Sequence, residues 1–392
     1  MKILNYVLAL GFIMSSAQAS LAKATPRLTF NQAGLSHQVL MKVGDTMSDG
    51  HTFVKKNDRT AYFPISKDKG ILLVGHELHY NPKGLGARYS KLTLEKGKVV
   101  KSELWVSGKH NFCSGTKTPW NTLWSGEEFP SGAIIKNWVD KDRIYTETRL
   151  APGDPSAEFG WVYEIDPFAK TKAKRSKRLT ALGRLSHEGI AIYDSQTVYM
   201  TEDFRDGHLY KFVADSPNNW DKGVIYAYDM AHKSWLPLKD KYNPRLDADL
   251  AGATKFNRLE DIRTGPDGTL YIAETGDPKM GDAFGRIWRF DPQTNALEVV
   301  VQGDGELMAN PDNLVFHPNG DLYIAEDQYH AHLKQFGMND ILRYTTKGKL
   351  ERVMSVNYGG EPSGMFFAHQ GKSMYMSIMA KKQSAVVRID GF

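Results

Sequence analysis

Short runs of alternating apolar and polar residues recur along the chain, each behind a turn. Leu270-Tyr271-Ile272-Ala273 follows Pro266-Asp267-Gly268, and Leu322-Tyr323-Ile324-Ala325 follows Pro318-Asn319-Gly320. Val198-Tyr199-Met200-Thr201 follows Tyr193-Asp194-Ser195-Gln196, and Met374-Tyr375-Met376-Ser377 follows His369-Gln370-Gly371. Turn residues between β-prone runs predict hairpins. Few stretches carry the helical period, so the pattern predicts an all-β chain.

The hairpins repeat. Glu188 and Glu202 stand 14 residues apart, as do Glu260 and Glu274, and Asp312 and Glu326, with the turn at each midpoint. An antiparallel hairpin begins and ends at the same edge, so both acids of a unit belong to one end. A further unit starts at Glu361-Pro362-Ser363-Gly364 and ends near Met376 without an acid. Two earlier runs close on carboxylates, at Glu77 and at Glu127-Glu128. Six such units predict radial repetition: a six-bladed β-propeller with an axial site. The spacer after Glu202 holds Tyr210–Val213 and Val224–Tyr228, read as outer strands of one blade. No linker divides the chain, so residues 20–392 are expected to form a single domain.

Composition narrows the class. With 41% hydrophobic and 11% aromatic residues and a net charge of +5 over 392 residues, intrinsic disorder is excluded. Acids and bases are interspersed, so no nucleic-acid partner is expected. Lys170–Arg178 holds six basic residues in nine and reads as an exposed turn. A single cysteine, Cys113, excludes an internal disulfide and reads as a small buried hydrophobe.

Residues 1–19 read as a secretory signal peptide: Lys2, the apolar stretch Val7–Met14, and Ala17-Gln18-Ala19 before Ser20. The expectation is a periplasmic or secreted monomer with no membrane association after cleavage.

On a propeller the acids at the hairpin ends converge on the channel. Glu77, Glu127, Glu188, Glu202, Glu260, Glu274, Asp312, Glu326 and Glu361 are the candidates, with Asn313 adding an amide oxygen. Glu128, Asp203, Asp261 and Asp327 stand beside some of them. Carboxylates cannot crowd together unpaired, so either water spreads them apart or hard cations, Ca²⁺ above all, neutralise them. Arg258, two residues before Glu260, suits an anionic substrate or a salt bridge to a ring acid. His330-Ala331-His332 reads as loop surface rather than a metal site.

Several of these segments resemble the PhoX-type alkaline phosphatase family. Thr118-Pro119-Trp120-Asn121-Thr122 with Glu127-Glu128 is similar to its Thr-Pro-Trp-Gly-Thr and Cys-Glu-Glu, and Asn111-Phe112-Cys113-Ser114-Gly115 to its Asn-Cys-Ala-Gly-Gly. Ser186-His187-Glu188-Gly189, Thr201-Glu202-Asp203, Arg258-Leu259-Glu260 and Pro311-Asp312-Asn313-Leu314 follow in family order. The resemblance implies a six-bladed propeller with several Ca²⁺ ions and a ferric pair, hydrolysing phosphate monoesters of small anionic substrates. It implies Glu188, Glu260 and Asp312 as metal ligands, Glu127 in the same cluster, and Arg258 as the phosphate contact. Gly126 stands where the family has the Cys of Cys-Glu-Glu, so calcium is expected and Fe³⁺ disfavoured. A calcium-dependent lactonase or esterase, or a non-catalytic calcium-binding propeller, would draw on the same ligand types.

Overall fold

The computed structural model describes residues 28–81, 84–130, 149–328, 338–356, 360–380 and 383–392. The proposed signal segment and His330–His332 lie outside them. Among the described residues, six antiparallel sheets of four or five strands follow one another along the chain, with a two-stranded ribbon, Arg205–Gly207 and Phe256–Asn257, beside them. Blade 1 is Asn57–Ser66, Lys69–His76, Ala87–Glu95 and Lys98–Lys109; blade 2 is Phe112–Lys117, Leu123–Glu127, Val162–Ile165 and Ser176–Leu179. Blade 3 is His187–Ile192, Thr197–Glu202, Leu209–Ala214, Gly223–Asp229 and Ser234–Pro237. Blade 4 is Leu259–Thr264, Leu270–Glu274, Arg286–Asp291 and Ala296–Gln302. Blade 5 is Pro311–Phe316, Leu322–Glu326, Asn339–Tyr344 and Leu350–Val356; blade 6 is Glu361–Ala368, Ser373–Met379 and Ala385–Asp390.

The N-terminal segment closes the circle. Leu28–Phe30 pairs with the outer strand of blade 5, and Ser36–Lys42 pairs with Ala385–Asp390 as the fourth strand of blade 6. The first strand of each blade packs on that of the next, and blade 6 packs back on blade 1. The added strand Ser36–Lys42 covers the Ala385–Asp390 edge and brings blade 6 to four strands.

The turns follow from their residues. In Pro266-Asp267-Gly268, Gly268 takes φ +78° and its N–H donates to the Gly265 carbonyl at 3.0 Å. Such a φ favours glycine, which has no Cβ to clash. The Asp267 carboxylate accepts from the Thr269 N–H at 3.1 Å, fixing the entry to the second strand.

The core lies between blades. Trp124 and Val162 of blade 2 pack with Ile190, Val198, Met200 and Phe212 of blade 3. Burying each such side chain contributes about 1.5–3 kcal/mol. One α-helix, Pro244–Ala251, is described; it starts on a proline and stops at Gly252, φ +77°. Among the described residues no helix is long and apolar enough to cross a membrane. Of Lys170–Arg178, residues 170–175 form the mostly exposed connection between the outer strands of blade 2, as expected of a turn, while Ser176–Arg178 begin the outermost strand.

Every first strand is bulged near its start. Regular pairing is interrupted between Asn57 and Thr60, Phe112 and Gly115, His187 and Ile190, Leu259 and Ile262, Pro311 and Leu314, and Ser363 and Phe366. A bulge bends the strand and re-aims its side chains. Here it turns Asp58, Cys113, Glu188, Glu260 and Asp312 into one axial cavity. Blade 6 places Gly364 at this position, φ +57°, where a Cβ would meet the Asp58 carbonyl at 2.2 Å.

Candidate metal centre

The cavity is small, about 130 Å³, and nine carboxylates line it. Four come from the bulges: Asp58, Glu188, Glu260 and Asp312. Four come from residues just after the second strands, Glu77, Glu128, Asp203 and Asp327, and Glu361 opens blade 6. Arg258 and Cys113 complete the polar lining with Asn313.

Three sets of potential ligand atoms each lie within 4.8 Å of one another: Cys113, Glu128 and Glu188; Glu188, Glu260 and Asp312; and Asp312, Asp327 and Glu361. Adjacent sets share a member, Glu188 and then Asp312. The donors therefore form one arc running from blade 2 round to blade 6.

Burial pushes the carboxyls of Glu128, Glu188, Glu260, Asp312 and Glu361 well above the ordinary range, and their mutual repulsion adds to it. Asp58 is pushed up to about 6 by burial, against its hydrogen bond with Cys113. Burial and the surrounding acids likewise raise the Cys113 thiol. These groups need protons or cations to coexist. The Asp58 Oδ2 atom is buried without a hydrogen-bond partner, as a ligand oxygen would be. The residues present therefore fit a cluster of cations.

Polar neighbours orient the acids. The Asn111 amide donates to Glu77 Oε1 at 2.7 Å and to Glu128 Oε2 at 2.8 Å, tying blade 1 to blade 2. The Arg258 guanidinium grips Asp203 with Nε to Oδ1 at 2.7 Å and Nη2 to Oδ2 at 2.8 Å, and reaches Glu260 Oε1 at 3.0 Å. Its backbone holds φ +65°, a conformation shared by Lys56, Asn111 and Asn310 at the same place before the first strands of blades 1, 2 and 5.

A match to the family described as "Alkaline phosphatase PhoX" spans residues 86–381. The chain belongs to the PhoX alkaline phosphatase family. Its reaction is that of this family, hydrolysis of phosphate monoesters. The fold is similar to Pseudomonas fluorescens PhoX, solved in complex with vanadate as a transition-state analogue, with TM-score 0.74 and 20% identity over 94% of this chain and 97% of that one. It is also similar to XC5397 of Xanthomonas campestris, a gluconolactonase, with TM-score 0.53 and 10% identity over 94% of both chains. No curated protein sequence matches.

The PhoX fold brings together Glu77, Glu188, Glu260, Asp312, Asn313, Glu361 and Arg258. It does not bring in Glu127, Glu202, Glu274 or Glu326. Each of these ends a second strand and turns away from the channel to hold backbone N–H groups. Glu127 accepts from His110 and Gly160 at 3.0 and 3.1 Å, and Glu202 from His208 at 3.1 Å with Arg245 at 3.3 Å. Glu274 accepts from Asn257 at 2.6 Å and from the Trp288 indole at 2.8 Å, and Glu326 from Ala309 at 2.7 Å. Strand register explains the difference: Glu202, Glu274 and Glu326 pair with His187, Leu259 and Pro311, not with the next residue. In blades 2, 3 and 5 the acid that faces the cavity is one position further on, at Glu128, Asp203 and Asp327, whereas blade 4 has Thr275 there.

Asn313, expected as a metal ligand, lines the cavity and makes two hydrogen bonds there. Its amide oxygen accepts the Gly364 N–H at 2.7 Å while its amide nitrogen donates to Asp312 Oδ1 at 2.8 Å, so it orients Asp312. Asp261 points elsewhere, to the Arg263 guanidinium at 2.7 Å and the Leu314 N–H at 3.0 Å.

The cysteine corrects a further expectation. Cys113 lies in the cavity rather than the core, between Glu128 and Glu188. Gly126 lies in a second strand, where a Cβ would come within 2.3 Å of the His187 Cβ. That position has no room for a ligand, and its glycine removes none. Asp58 was also missed; its signal was Asn57-Asp58-Arg59, which occupies in blade 1 the place of Pro311-Asp312-Asn313 in blade 5.

Proposed function

We propose that the axial cavity is the catalytic centre of this phosphatase and that it holds several cations along the arc of shared ligands. The overlap of three donor sets through Glu188 and Asp312 carries this reading. The two all-oxygen sets suit Ca²⁺. The set with Cys113 adds a sulfur donor, which suits a transition metal such as iron. When bound, such cations neutralise phosphate oxygens and activate water.

The protein's own residues do the rest. Asp203 and Glu260 hold the Arg258 fork from two sides, so the guanidinium meets phosphate oxygens without reorganising. Asn111 fixes the spacing of Glu77 and Glu128, and Asn313 that of Asp312. The cavity admits a phosphoryl group and leaves the rest of a substrate at its mouth. Export through residues 1–19 and a monomeric state belong to the same proposal. Metal analysis of natively purified protein is the test: calcium, and iron bound through Cys113, are expected. A metal-free protein with full activity would overturn the reading.

A further inference from the structure

We propose that Lys56 is a specificity-determining residue that contacts the leaving group and favours phosphate monoesters carrying a second anionic group. The proposal rests on the phosphatase reading of the cavity and deepens it. Lys56 and Arg258 occupy the same place in the repeat. Each immediately precedes a first strand, with φ +59° and +65°. The carbonyl of each accepts from the N–H of the residue after the second strand, Glu77 at 2.9 Å and Thr275 at 2.9 Å. The other blades place Asn111, Ser186, Asn310 and Gly360 there, none of them cationic.

The first strands form a closed ring of six, so blades 1 and 4 face each other across the channel. Arg258 thus stands opposite Lys56. The arc of ligand sets runs from blade 2 to blade 6, and blade 1 contributes to none of the three. Lys56 stands in that gap, its ammonium 3.2 Å from Glu77 Oε1 and its side chain 38% exposed. A phosphoryl group seated by Arg258 and the arc directs its ester oxygen across the cavity, toward the gap. An ammonium has three donors and needs no fixed plane, so it accepts a carboxylate or a second phosphate at a mobile end.

The test compares 3-phosphoglycerate with glycerol 3-phosphate, which differ by a carboxylate on the leaving group, using the metal-loaded enzyme. Lys56→Met is expected to raise KM for 3-phosphoglycerate about tenfold, equivalent to about 1.4 kcal/mol, and to leave glycerol 3-phosphate unchanged. Lys56→Arg is expected to restore most of the difference. Equal changes for both substrates would mean that Lys56 only positions Glu77, and would overturn the proposal, as would no change for either. Unaltered enzyme that turns over neither ester would overturn the phosphatase reading itself and the proposal with it.

Discussion

At the scale of single residues, two side chains decide the chemistry. Arg258 is pinned between Asp203 and Glu260, so its loss removes a phosphate contact and leaves two acids short of a partner. Arg258→Ala is expected to lower kcat by about 10²–10³, the range for removing one preorganised donor, with phosphate-ester kinetics as the measurement and metal content as the control. Cys113 is the one thiol among the described residues that line the cavity. Cys113→Ser is expected to lower bound iron while keeping calcium, read by elemental analysis of the purified protein. Iron content unaffected by the change would remove Cys113 from the ligand set.

At the scale of the hairpin, one residue of register separates two functions. Glu188 and Asp203, Asp312 and Asp327, and Cys113 and Glu128 are each 15 residues apart, and all six face the cavity. The more conspicuous 14-residue pairs mix a cavity acid with one that staples the blade. Glu127, Glu274 and Glu326 hold the segments that feed the first strands, and Glu202 the segment that feeds the third strand of blade 3, so their loss acts on stability. Glu274→Ala strands the Asn257 N–H and the Trp288 indole, and is expected to cost about 1–3 kcal/mol without changing metal stoichiometry. Thermal unfolding alongside metal analysis separates the two effects; loss of metal would make Glu274 a ligand.

At the scale of the whole molecule, the crowded acids couple cations to folding. In the cavity, burial raises the folded-state pKa of Asp58 to about 6 and those of Glu128, Glu188, Glu260, Asp312 and Glu361 well above the ordinary range; outside it, burial raises the stapling acids Glu127 and Glu326 to about 7 and 8. Between the unfolded and folded values the native state binds more protons, so stability falls as pH rises through that window. Chelated protein is therefore expected to melt at a higher temperature near pH 5 than near pH 8, and added Ca²⁺ to raise the melting temperature most at pH 8. A pH-independent melting temperature after chelation would contradict this. Closure is the second global property: removing residues 1–42 exposes the edge of Ala385–Asp390 and is expected to yield aggregated or unfolded protein by size-exclusion chromatography.

The sequence by itself determined the repeat. Alternating runs behind Pro-Asp-Gly and Pro-Asn-Gly turns specify hairpins locally, and six of them specify a propeller, because each sheet needs a neighbour to cover its faces. The same periodicity showed that acids gather at one end. It did not show which acids face the channel, because that depends on a bulge, and a bulge is a property of pairing between strands. So Glu274 and Glu326 read as ligands while Asp58 went unseen, and Cys113 read as core although the bulge at Phe112–Gly115 turns it into the cavity. The opposition of Lys56 and Arg258 is likewise invisible along the chain. Two hundred residues separate them, and only ring closure sets them across one channel.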